Sequence, residues 1–289
     1  MSFLLPLLLL VPQAYDPEIE AVMNRKRKEA AEVRASAAQA PAPAAPGGGG
    51  QDGLIPVPPR YAAPFQACID AALDAPEKGV AFAEKWRIEG GGFYARHCMG
   101  FAYARAERWT PAIVALEQAA DEAERTGEVA QSARLWAQAG NAALAGGDAA
   151  KAKADFDAAL ARGLPDGIEK GEAHLDRARA LVALDDHKGA RDSLDIALDQ
   201  APKDPLGWLL SATLARRMGE MPLAQAHIAR AVQLSPDDAS VALEEGNIAI
   251  LTDHADIARS AWQRAVKLSP DSPAGKAAAD NLTRLPPAP

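Results

Sequence analysis

Aromatic residues make up only 5% of this 289-residue chain, and there are just two cysteines. So little ring area excludes a large aromatic core and leaves packing to alanine and the aliphatic side chains. Strand alternation is missing throughout, which excludes a β architecture. Long apolar runs are missing too. The nine residues from Phe3 to Val11 would rise about 14 Å as a helix, against a hydrocarbon core of roughly 30 Å. Catalytic signatures are absent as well. Five histidines, His97, His174, His187, His227 and His254, are scattered with no HExxH spacing and no nearby cysteine cluster, so no metal site is expected. There is no GxSxG, no Rossmann fingerprint and no Walker motif, and the "GGGG" at 47–50 lacks the following Lys-Ser/Thr of a phosphate loop. The expectation is a protein that is not an enzyme and needs no cofactor.

Positive charge is in deficit, with 31 Lys and Arg against 39 Asp and Glu and a pI of about 5.2. An acidic chain of this kind is not expected to bind nucleic acid. Residues 1–60 are balanced at six of each sign, so the whole net charge of -8 lies beyond them. The one concentrated basic run, Arg25 to Lys28, reads as a solvated helix face; its functional alternative is membrane contact through anionic lipid headgroups.

The apolar stretch at the N-terminus has the length of a secretory h-region, and residues 1–14 read as a signal peptide with Ala14 as its cleavage residue. No basic residue precedes the run, Pro12 precedes the cut and the basic run follows it, so an apolar tail on a cytoplasmic protein stays open. Residues 15–38 are helix formers with poor apolar spacing, an isolated helical segment. Residues 39–60 are a Pro/Ala/Gly linker.

Beyond the linker, helix follows helix, with breaks at "DAP", "GGG", "LPDG", "PKDP" and "SPDD". The class is all-α. The phrase "AVQLSPDD" starting at Ala231 returns as "AVKLSPDS" at Ala265, and Pro202, Pro236 and Pro270 share the 34-residue period. With repeats starting at Gly171, Pro205 and Ala239, position 8 holds Ala178, Ala212 and Gly246, position 20 holds Ala190, Ala224 and Ala258, and position 27 holds Ala197, Ala231 and Ala265. Position 24 is large: Leu194, Ile228 and Trp262. Two antiparallel helices approach closely only where bulk is missing, and a larger neighbour fills the hole. A hairpin this short must then stack on copies of itself.

On these residues the chain resembles the tetratricopeptide repeat, with Trp208 at the bulky position 4 and the three prolines at position 32. Two earlier repeats match through Gly100, Tyr103, Ala112, Leu116 and Ala119, and through Trp136, Gly140, Ala152, Phe156 and Ala159. Ala215, Ala242 and Ala249 depart from bulky positions, so the last repeat is expected to pack thinly. The resemblance implies a right-handed α-solenoid over 64–284: a degenerate pair at 64–90, repeats near 93–126, 133–166, 171–204, 205–238 and 239–272, and a capping helix at 273–284. Extra residues near 127–132 and 167–170 should lengthen helix B or its following loop.

Cys98 falls on a first helix and Cys68 on the first helix of the preceding pair. The resemblance places such helices in contact, within disulfide reach. An exported protein would form the bridge, and a cytosolic one would keep two buried thiols.

In this family the concave surface is lined by the first helix of each pair. The matching residues include Tyr94, His97, Phe101, Arg105, Arg134, Asn141, Arg179, Arg216, Arg217 and Asn247, a set whose arginines fit a peptide or protein partner with acidic groups. The competing reading pairs those arginines with the chain's own carboxylates. The co-chaperone carboxylate clamp is not matched, since Ala137 stands where it needs Lys and Asp176 where it needs Asn. The expected function is a non-catalytic binding scaffold of the cell envelope, periplasmic or exported. The alternative is a cytoplasmic or membrane-associated assembly module with reduced cysteines.

Overall fold

The computed structural model describes residues 57–285. The signal-peptide and isolated-helix readings, the basic run and most of the linker lie outside the described residues. Among these residues the regular structure is thirteen α-helices: α1 Pro59–Asp74, α2 Pro76–Ile88, α3 Gly92–Arg105, α4 Trp109–Arg125, α5 Val129–Ala145, α6 Ala149–Ala161, α7 Ile168–Ala183, α8 His187–Gln200, α9 Pro205–Arg217, α10 Met221–Leu234, α11 Ala239–Leu251, α12 Ala255–Leu268 and α13 Pro273–Arg284. The fold is an all-α solenoid of helix-turn-helix repeats. None of these helices is long and apolar enough to cross a membrane.

Two compact units divide the chain, one ending at Gly207 and the other beginning at Trp208. The first contains the hairpins α1–α2, α3–α4, α5–α6 and α7–α8. The second contains α9 from its fourth residue, α10, the hairpin α11–α12 and the single helix α13.

Local chemistry sets the helix ends. Proline at the first or second helical position opens α1, α2, α10 and α13, where the missing N–H costs nothing. Asp148, Asp186, Asp238 and Ser272 cap α6, α8, α11 and α13 by accepting from first-turn amides. Within each of the five repeats, the turn between the first helix (A) and the second (B) uses one left-handed residue at position 15: Glu107, Gly147, Asp185, Gly219 and Asp253, with φ between 56° and 80°. Glycine and aspartate tolerate that conformation, and Glu107 bears the larger steric penalty.

The small positions do what close helix contact requires. The alanines at position 20, from Ala112 to Ala258, are all fully buried, and those at position 27 are at most 2% exposed. Where position 8 is glycine, the position-24 side chain lies against it. A Cβ on Gly140 would lie 2.9 Å from the Phe156 ring, one on Gly100 2.5 Å from Leu116, and one on Gly246 2.3 Å from Trp262 Nε1. Where position 24 is Leu194 or Ile228, alanine suffices at position 8.

The last repeat is not thin. Trp262 is 4% exposed and fills the space left by Ala242 and Ala249. Its indole N–H donates to the Leu243 carbonyl at 3.3 Å and to Asn247 Oδ1 at 3.2 Å, so the ring cannot turn aside. Gly246→Ala should therefore destabilise the chain by about 1–3 kcal/mol through overpacking. A urea titration followed by circular dichroism checks this; an unmoved midpoint would mean that α11 and α12 meet in another register.

The extra residues near 127–132 lengthen both neighbouring helices, since α4 and α5 each reach 17 residues. Those near 167–170 leave α6 at 13 residues and go instead into the loop after it and the first turn of α7. Inserted residues with helical propensity extend an A helix as readily as a B helix.

Candidate functional site

The expected binding residues lie on the A helices, α3, α5 and α7 in the first unit and α9 and α11 in the second. Successive A helices within each unit are tied to one another by side chains. Between α1 and α3 the tie is covalent: Cys68 and Cys98 form a disulfide, with Cα atoms 6.3 Å apart and both residues fully buried. Phe65 and His97 add a ring contact with centroids at 5.2 Å.

Between α3 and α5, His97 Nε2 lies 2.8 Å from Gln138 Oε1. Burial pushes the His97 ring down to about 4, with the Gln138 bond opposing it, so at neutral pH this ring is an uncharged hydrogen-bonding group. Between α5 and α7, Arg134 donates through Nε and Nη2 to both oxygens of Glu169 at 2.7 and 2.8 Å. Arg179 pairs within α7 with Asp176 at 2.9 Å.

The second unit has its own ties. Arg216 on α9 donates to both oxygens of Glu244 on α11, at 2.6 and 3.1 Å, and Asn247 donates to the same carboxylate at 3.1 Å. Glu244 is completely buried. Asn281 on α13 donates to Asn247 Oδ1 at 3.2 Å.

Three of the five expected arginines thus already hold carboxylates of this chain, and Glu169, Asp176 and Glu244 cancel their charge. Tyr94 is only 4% exposed, stacked among Tyr61, Phe65 and Phe93. Arg105 is exposed, and neither it nor Asn141 has a side-chain hydrogen bond or ion pair among the described residues. Phe101, Leu144 and Val182 are half-buried on the same face.

The competing reading, arginines paired within the chain, holds for these three, though it named none of the carboxylates. Glu169 lies 35 residues after Arg134 and Glu244 lies 28 after Arg216. An acid about one repeat beyond an arginine is the signal that finds them.

The B helices carry a further cluster: Lys151 bridges Glu117 and the buried Asp155, linking α4 to α6. Burial raises the Asp155 carboxyl to about 6 against the pull of Lys151, with Glu117 adding to the rise. Arg162 stacks over the nearby Trp136 ring, with its Cζ 5.1 Å from the centroid. Among the described residues no group of three or more His, Cys, Asp or Glu side chains converges as a metal site.

No protein-family model matches the chain, and no curated protein matches it. Solved structures do. PilF of Pseudomonas aeruginosa is similar over 76% of this chain and 99% of its own, with a TM-score of 0.61 at 16% identity. YrrB, a TPR protein with an unusual peptide-binding site, is similar over 65% of this chain and 91% of its own, with a TM-score of 0.51 at 17% identity. MamA from Desulfovibrio magneticus RS-1 is similar over 62% of this chain and 97% of its own, at TM-score 0.53 and 19% identity. The fold is that of the tetratricopeptide repeat, the fold of proteins that include interaction scaffolds.

Proposed function

We propose that this chain is a non-catalytic scaffold that binds a protein or peptide along the A-helix face of the unit ending at Gly207. One observation carries the reading: Phe101, Leu144 and Val182 remain partly open on a face whose polar ties hold successive helices in fixed register. Pre-set spacing of apolar and amide groups suits an extended chain, since little ordering is left to pay for on binding. The similarity to YrrB, with its peptide-binding site, supports the same reading.

Peptides selected from a random display library on the full chain should bind it and lose that binding in Leu144→Glu and Val182→Glu, with circular dichroism unchanged. Selected peptides indifferent to both substitutions would move the site off this face. A selection that enriches nothing would end the reading.

We propose further that the protein works outside the cytoplasm, on the envelope side. The apolar N-terminal stretch and the buried Cys68–Cys98 bridge support this, because structural disulfides persist in oxidising compartments.

A further inference from the structure

We propose that the unit ending at Gly207 pairs with a second copy of itself along the edge where its B helices end and its A helices begin, the two edges running antiparallel. The inference is independent of the peptide-binding reading and uses none of Phe101, Leu144 and Val182.

Exposure marks the edge. Each A helix starts where the preceding B helix stops, so Ile88 at the end of α2, Val129 at the start of α5 and Ile168 at the start of α7 fall on one edge, one at each junction between hairpins. Ile88 and Ile168 are the two most exposed large apolar side chains among the described residues, at 79% and 69%, and Val129 is 43% exposed. A row of such side chains marks a contact surface, unlike single ones scattered over a protein. Glycine stands near each of them, at Gly90, Gly127 and Gly167, and an added Cβ there would meet nothing within 4 Å. The chain does not overhang the strip at these points, so another molecule can lie flush against it.

Charge selects a second copy as that molecule. Arg125 ends α4 and Glu128 precedes α5, one to either side of the junction that carries Val129. Both are exposed and neither has an ion-pair partner among the described residues; Arg125 only donates through Nε to the Asp121 carbonyl of its own helix at 3.2 Å. The ends of the strip are alike. Beside Ile88, Arg87 is exposed with no carboxylate partner among the described residues, while Lys85 and Glu89 face each other at 3.8 Å. Beside Ile168, Asp166 meets only Lys170, at 3.0 Å in an exposed pair. A two-fold axis at the middle junction sets Val129 on Val129 and Ile88 on Ile168 of the second copy, with Arg125 and Arg87 opposite its Glu128 and Asp166. A partner of one sign would instead meet like charge at every junction end. Three apolar side chains are few beside the roughly 20–30 residues of a stable interface, so the pairing is weak and reversible.

Sedimentation equilibrium of the full chain, from about 5 to about 500 µM, tests this; the average mass should climb from monomer towards dimer. Ile168→Glu and Arg125→Glu should each raise the dimer Kd about tenfold or more, with circular dichroism unchanged. Combining Arg125→Glu with Glu128→Arg should return it to within about twofold of the parent, because each copy again presents one charge of each sign. Leu184→Glu, exposed on the opposite edge of the same unit, should leave Kd within about twofold. A monomer throughout the range would overturn the proposal and leave the edge to some other partner. Association that survives both single substitutions would overturn it too, by placing the contact elsewhere, the apolar N-terminal stretch included. A charge swap that fails to restore the dimer would refute the two-fold register.

Discussion

Arg216→Glu should destabilise the unit beginning at Trp208 by about 3–5 kcal/mol, the usual cost of leaving a buried charge without its partner. Glu244 is fully buried and takes two of its three side-chain hydrogen bonds from Arg216. A second carboxylate beside it removes those bonds and adds repulsion in a poorly solvated place. Arg216→Ala should cost nearly as much, because the lost compensation dominates. The paired change Arg216→Met with Glu244→Gln should recover most of the stability: no charge remains, and the glutamine oxygen can still accept from Asn247. Chemical denaturation of the parent, Arg216→Met, Glu244→Gln and the paired variant forms a double-mutant cycle. A near-additive cycle, or an Arg216→Glu chain that melts like the parent, would show that the pair is not what holds α9 to α11.

The same pair explains why the binding face was harder to read than the fold. The repeat frame was legible because it rests on steric necessity: where two helix axes come close, position 8 must be small, and Gly246 opposite Trp262 or Gly140 opposite Phe156 records that in single residues. The fate of an arginine is decided by reach and rotamer. Arg134, Arg179 and Arg216 looked like a basic lining because a frame of family positions omits Glu169, Asp176 and Glu244, which lie just outside the counted positions. Loss of partner binding in Arg216→Glu would therefore report on folding, whereas Arg105, with no carboxylate partner among the described residues, can be changed without that confusion. His97 is a similar case. It stands at a lining position, yet burial keeps the ring neutral against the opposing Gln138 bond, and that bond makes it part of the helix register.

Replacing both cysteines by alanine should cost about 3–4 kcal/mol, the chain-entropy value for a closed loop of this size, the bridged residues being 30 positions apart. The loss should be local. In a stacked-repeat fold, stability is shared mainly between neighbours, and the hairpin α1–α2 stands at the beginning of the described helices, with α3 as its main support. Amide exchange should therefore speed up in α1 and α2, where Trp86 packs against Tyr61 and Phe82, while α11 to α13 keep their protection. Reducing the parent protein under denaturing conditions and refolding it with blocked thiols should reproduce the effect. Unchanged exchange in α1 and α2 would show that the ring contacts of Tyr61, Phe65 and Tyr94 suffice to dock the hairpin. The intact mass of natively produced protein then joins stability to location. A chain starting near Tyr15, and lighter by two hydrogens before reduction, would support export with the bridge in place. A full-length chain with two free thiols would put the protein in a reducing compartment, where its first hairpin must hold by packing alone.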